Sequence, residues 1–263
     1  MAKGVRDAFI MLKWLAKNLL EFLPPQGKAF VRRVKFYTMG WFSPQSYWDF
    51  AASTCATAAI CTDCVDEKQF FALGKQEATL LRKLELLHPK VRVLDIGCGI
   101  GRIERAICGD VESVTGVDVS SRMVELARQK VPADNVTFQL VDGRSLNGVA
   151  SGNFDLCVSF LVFQHLPRPV MAAYFSEVAR VLKRTGRFFF QLPLAAEGQH
   201  PEPPAHHPFG MRYYTADQVQ GLLDQHGFRL VNRFNSEGRP IPPDGLLHSE
   251  FQFFLAARPQ ADP

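Results

Sequence analysis

Three glycines, Gly97, Gly99 and Gly101, follow an apolar run (Val91, Val93, Leu94, Ile96) that carries one carboxylate, Asp95. Such a run reads as a buried parallel strand, and the glycines read as a tight turn after it. Glycine reaches positive φ without penalty and leaves no Cβ to obstruct a ligand; Cys98 is a small residue in the same crowded turn. Residues 102–107 then begin a helix whose first N–H groups have no partner inside the helix and point over the turn. Charge decides which ligand suits that turn. Asp95 would repel a pyrophosphate but suits an ammonium or sulfonium group. A dinucleotide pattern also fails, because its third glycine would fall on Arg102.

The elements that follow place more polar groups at strand ends. Residues 111–118 read as a second strand ending in Asp118, positioned to accept hydrogen bonds from ribose hydroxyls. Ser120 and Ser121 are cap candidates for a helix over 122–130. A third strand, 136–141, ends in Asp142-Gly143, where a carboxylate could accept from an adenine amino group. A fourth, 154–160, runs into residues 161–167, which hold His165. Ligands of open α/β sheets bind beyond the carboxyl ends of the strands, so Asp95, Asp118, Asp142 and the 160–165 turn should converge.

The nonapeptide V-L-D-I-G-C-G-I-G (93–101), with these acidic strand ends, resembles motif I of the class I S-adenosylmethionine (SAM)-dependent methyltransferases, over roughly residues 67–259. The resemblance implies an α/β, Rossmann-like fold: a mostly parallel seven-stranded sheet with helices on both faces. It implies SAM as cofactor, with Asp95, Gly97, Cys98, Gly99 and Gly101 around its methionine part. Asp118 and Val119 would hold the ribose, Asp142 and Gly143 the adenine, and Phe160 would begin the segment beside the methyl group. Helices ahead of the first strand would cover the pocket, which makes Tyr47, Trp48 and Phe71 lid candidates beside a core role. An oxygen or nitrogen acceptor must lose a proton, and His165 is the catalytic base candidate, with His200, His206 and His207 as alternatives. The expected activity is methyl transfer to a small-molecule or lipid-like acceptor. A protein or RNA acceptor and a non-catalytic SAM-binding scaffold are the alternatives. Phe160-Leu-Val-Phe163 stands where an Asn/Asp-Pro-Pro-Tyr tetrapeptide would serve exocyclic base methylation.

Six cysteines in 263 residues do not make a disulfide scaffold, and a reducing, cytoplasmic setting is the simpler reading. Cys61-x-x-Cys64 has no second pair, so no metal is expected. Residues 1–37 carry eight cations against Asp7 and Glu21; that is +6 of a net +4, and leaves −2 for the remainder. Residues 7–23 are apolar with one polar stripe, Lys13, Lys17 and Glu21, and Pro24-Pro25 ends the helix. That run is too interrupted to span a membrane and has no convincing cleavage site of a signal peptide. The chain therefore divides into a basic amphipathic extension, 1–45, and a methyltransferase domain, 46–263. An anionic membrane surface is a candidate partner through residues 1–42, giving peripheral attachment; packing on the domain or a sister subunit competes, and nucleic acid is a weaker fit. Oligomeric state is not legible.

The spacing predicts helices over 47–60, 66–87 and 169–183, a strand over 187–192 and a long loop over 195–211. Thr215 to Gln218 reads as a capping box opening a helix to His226, and 228–234 and 251–256 read as a closing antiparallel pair.

Overall fold

A computed structural model describes residues 43–60, 66–205, 207–242 and 251–259. The helix read over 7–23, the basic stretch after it, Cys61, Cys64 and His206 lie outside the described residues. No helix among the described residues is long and apolar enough to cross a membrane.

Two helices precede the sheet, α1 (Pro44–Ile60) and α2 (Glu67–Lys83). Then come β1 (Arg92–Ile96), α3 (Arg102–Ile107), β2 (Ser113–Asp118), α4 (Ser121–Lys130), β3 (Val136–Leu140) and β4 (Phe154–Ser159). A 3-10 turn, Phe163–His165, leads to α5 (Arg168–Val181), β5 (Leu182–Pro193), α6 (Ala216–Gln225), β6 (Arg229–Phe234) and β7 (Phe251–Ala257). The strands form one seven-stranded sheet in the order β3-β2-β1-β4-β5-β7-β6. Neighbours from β3 to β5 are parallel, and β7 runs antiparallel to both β5 and β6. The order reverses between β1 and β4, and that switch point is where such sheets bind ligands.

Two expected boundaries move. The helix expected over 66–87 stops at Lys83, because Glu85 takes a positive φ of 53°. The helix expected to reach residue 183 gives way at Leu182 to β5, which carries Thr185-Gly186 within it and a register shift against β4.

Phenylalanines fill both faces of the sheet. Phe188 and Phe190 pack with Phe163, Phe175, Phe228 and Phe254 beneath α5 and α6. Phe189, one residue out of phase, packs with Phe160 and Phe253 on the face covered by α2 and α3. The cross-strand pair Phe190 and Phe254 stacks at 5.1 Å.

A buried acidic cluster lies under the glycine turn. Asp95 shares the α2/α3 face with Val93, and its buried carboxyl group lies near that of Glu104 on α3. Glu104 has no exposure, and burial beside Asp95 holds its pKa well above the carboxylate range, so Glu104 keeps its proton. Arg102 pairs with Glu77 of α2 at 2.9 Å. Burial raises Asp95 and Glu77 to about 7. A carboxyl group whose pKa is higher folded than unfolded takes up a proton on folding. Its contribution is full below about pH 4 and is lost as pH rises through about 7. Stability should therefore fall from pH 6 to pH 9 in urea unfolding. Glu104→Gln cannot ionise, so the fall should shrink; an unchanged fall would contradict a protonated, buried Glu104.

Candidate cofactor and acceptor site

The carboxyl ends of β1, β2, β3 and β4 open into a cavity of about 480 Å³. Its floor is the glycine turn. The N–H groups of Gly97 and Cys98 both donate to the carbonyl of Val117, and the Gly99 N–H donates to Asp118 Oδ2 at 2.9 Å. Gly97 and Gly99 have φ of 81° and 54°, left-handed values that favour glycine. A Cβ on Gly97 would lie 2.2 Å from Val162 Cγ2, and one on Gly99 2.4 Å from Ile60 Cδ1. The space opened by these glycines is thus taken by two apolar side chains, not left free for a ligand, and those side chains themselves line the cavity.

Of the residues singled out from sequence, Gly97, Gly99, Asp118, Val119, Asp142, Gly143, Phe160 and His165 come together around this cavity. Asp95, Cys98 and Gly101 do not line it. Asp95 turns to Glu104, because alternate strand residues face opposite sides of the sheet. Cys98 packs behind the turn with Val124, Ala127 and Phe138. Gly101 is the N-cap of α3, and a Cβ there would meet Val131 and Phe138.

Asp118 accepts a second bond from the Ser120 N–H at 2.8 Å, and burial lifts its pKa to about 6. It is therefore mainly ionised at neutral pH. Asp142 accepts from the N–H groups of Arg144 and Ser145 and from Ser145 Oγ. The Arg144 N–H, first among these, pulls its pKa down and keeps it an acceptor. Val119 lies against Gly143, where a Cβ would come within 2.8 Å of Val119 Cγ2.

Much of the remaining lining is apolar. After β4 the chain turns through Phe160, Leu161 and Val162. Leu161 has a φ of 60°, strained for a residue with a Cβ, and Gln191 of β5 accepts its N–H at 3.2 Å. Leu166, Pro167 and Val170 continue this wall, with Tyr174 further along α5. His165 stacks on Phe209 at 5.3 Å and lies edge-on to Trp48 at 6.2 Å. Burial pushes its pKa down to about 4, against the raising effect of the backbone at Gly210 and Phe209, yet Nδ1 is left without a hydrogen-bond partner. The imidazole is neutral at physiological pH.

Two elements roof the cavity. Trp48 of α1 lines it, whereas Tyr47 is buried beside Trp48 and Phe71 lies under Arg105, so of the three lid candidates only Trp48 takes that position. Asp49 docks α1 by accepting from Ser120 Oγ at 2.7 Å and from the Arg122 N–H. The loop after β5 contributes Ala205 and Pro208. Arg212, 1% exposed, seats that loop: its guanidinium donates to the carbonyls of His165 and Pro204, and its own N–H donates to Gln164. His200 stacks on Tyr213, and neither His200 nor His207 lines the cavity. Among the described residues no group of three His, Cys, Asp or Glu side chains could hold a metal ion.

Ile60, Met123 and Tyr174 were not singled out for this site by sequence reasoning. Only Tyr174 carried a usable signal, a hydroxyl on an otherwise apolar helical stripe with Met171, Phe175 and Val178.

A family model described as a methyltransferase domain matches residues 93–186. Cyclopropane-fatty-acyl-phospholipid synthase of Escherichia coli (strain K12) is 36% identical over 110 residues, covering 41% of this chain and 28% of that protein. Ubiquinone biosynthesis O-methyltransferase of Thiobacillus denitrificans is 31% identical over 101 residues, covering 38% and 43% respectively. The chain thus spans less than half the length of these curated relatives. A TehB-like SAM-dependent methyltransferase from Corynebacterium glutamicum superposes with a TM-score of 0.56 at 18% identity, over 81% of this chain and 99% of that one, which speaks to the fold. Residues 93–186 thus match a methyltransferase domain, and the sheet order and the carboxylates at the ends of β2 and β3 agree with the class I SAM-dependent methyltransferase fold.

Proposed function

We propose that this protein transfers the methyl group of SAM to an oxygen or nitrogen nucleophile of an apolar small-molecule or lipid-like acceptor. The observation that carries this reading is the mixed lining of the cavity. The same cavity offers Asp118 and Asp142 as acceptors for a nucleoside and is lined by the apolar Trp48, Leu161, Val162, Leu166 and Val170 and by a neutral imidazole.

Bound SAM would supply a methyl group on a positively charged sulfur, open to in-line displacement. The protein's own part is placement, water exclusion and proton handling. Asp118 and Asp142, both acceptors, would take the donor groups of ribose and adenine. The apolar wall would strip water from the acceptor, and it has no carboxylate to compensate a cationic one. His165, kept neutral by burial, would accept a hydrogen bond from the acceptor's O–H or N–H and take its proton as the methyl group arrives. Two relatives are named for a fatty-acyl phospholipid and for ubiquinone biosynthesis, which supports a lipid-like acceptor. An anionic membrane surface met through the basic residues 1–42 fits the same class and peripheral attachment to the membrane.

Incubation of the protein with methyl-labelled SAM and separated lipid, small-molecule, protein and RNA fractions tests the acceptor class. Label should enter the lipid or small-molecule fraction; label in protein or RNA alone would overturn it, and no transfer to any fraction would favour a scaffold. Asp118→Asn should weaken S-adenosylhomocysteine binding roughly 10- to 100-fold in calorimetry, the worth of a hydrogen bond to a charged group. Once an acceptor is found, His165→Ala should slow methyl transfer roughly 100-fold and leave cofactor affinity within about twofold. In the wild type the rate should lose its His165 dependence only as pH falls toward about 4; an inflection near the ordinary imidazole value would remove His165 from this role.

A further inference from the structure

Tyr174 belongs both to the core and to the cavity wall. It sits on α5 with 4% exposure, and its ring packs on Phe163 at 6.2 Å within the main core cluster. Its hydroxyl makes no hydrogen bond with a described residue and is reached from the cavity that Tyr174 lines. Tyr174 also lines the cavity, together with Asp118, Asp142 and Val141. The two carboxylates reach it electrostatically: after burial, the charges of Asp142 and Asp118 raise its pKa above the ordinary phenol value. The group is therefore a neutral O–H donor at any physiological pH.

The ligand atom this donor suits can be identified by chemistry. Ionised carboxylates only accept hydrogen bonds, so Asp118 and Asp142 can satisfy the ribose hydroxyls and the exocyclic amine of an adenosine. They cannot satisfy its ring nitrogens or ring oxygen, which accept. A nucleoside held between these carboxylates needs a donor from the protein, and the phenol beside them has a donor to spare. Ser43, another hydroxyl on the wall, is already engaged with Ser46. Arg144 sits on the exposed rim.

We infer that the Tyr174 hydroxyl donates a hydrogen bond to an acceptor atom of the cofactor's adenosine moiety, so that α5 contributes to cofactor binding as well as to the core. The inference rests on the cofactor assignment above and adds a binding residue to it.

Tyr174→Phe keeps the ring that packs on Phe163 and removes only the hydroxyl. Calorimetry with S-adenosylhomocysteine and with 5′-methylthioadenosine, which lacks the amino-acid part, should show the same loss for both, roughly 3- to 10-fold. The melting temperature should stay within a few degrees of the wild type. Unchanged affinity for both ligands would overturn the inference, as would a loss confined to S-adenosylhomocysteine, because the hydroxyl would then not serve the nucleoside. A wild type that binds neither ligand would overturn the cofactor assignment and this inference together.

Discussion

The carboxylate of Asp118 is the junction on which the site depends. One oxygen accepts the Gly99 N–H of the glycine turn, and the other accepts the Ser120 N–H at the start of α4. Ser120 in turn caps α4 through Met123 and donates to Asp49 of the roofing helix. A short chain of hydrogen bonds thus fixes sheet, turn and roof relative to one another. A buried carboxylate is costly to desolvate, and two N–H donors offset part of that cost. Four lone-pair directions remain shared between protein and cavity, so the group that holds the turn in shape is also free to receive hydroxyl donors.

The alternation of buried strands and helices was legible because strands covered on both faces read as apolar runs, punctuated by Gly, Asp and Ser at their ends. Asp118 and Asp142 were legible for the same reason: a polar residue at the carboxyl end of a parallel strand lies at the ligand edge whichever face the strand presents. Asp95 lies one residue inside its strand, and there the face decides. It shares the side of Val93, toward α3, while Leu94 and Ile96 face α5 and α6. Its partner, Glu104, stands in Arg102-Ile-Glu-Arg105, which reads as a solvated helix face until the helix folds back over the sheet. A carboxyl pair of this kind is a tertiary fact that no local pattern announces.

The roof was legible only in outline. A long loop after the fifth strand was expected, but nothing in its Pro- and His-rich sequence foretold that Arg212 would be fully buried and bind carbonyls from both sides. Guanidinium groups are rarely buried unless every donor finds an acceptor, and only folded backbone supplies so many carbonyls at one point. Tyr174 was hidden in the opposite manner, inside a regular core stripe whose ring obeys the pattern while its hydroxyl does not.

The central claim is that the edge of the sheet between β1 and β4 receives a sulfonium nucleoside and not a dinucleotide. Titration of the wild-type protein with S-adenosylhomocysteine and with NAD, side by side in a calorimeter, tests it most directly. The account expects micromolar or tighter binding of the former and no detectable binding of the latter; preference for NAD would contradict it.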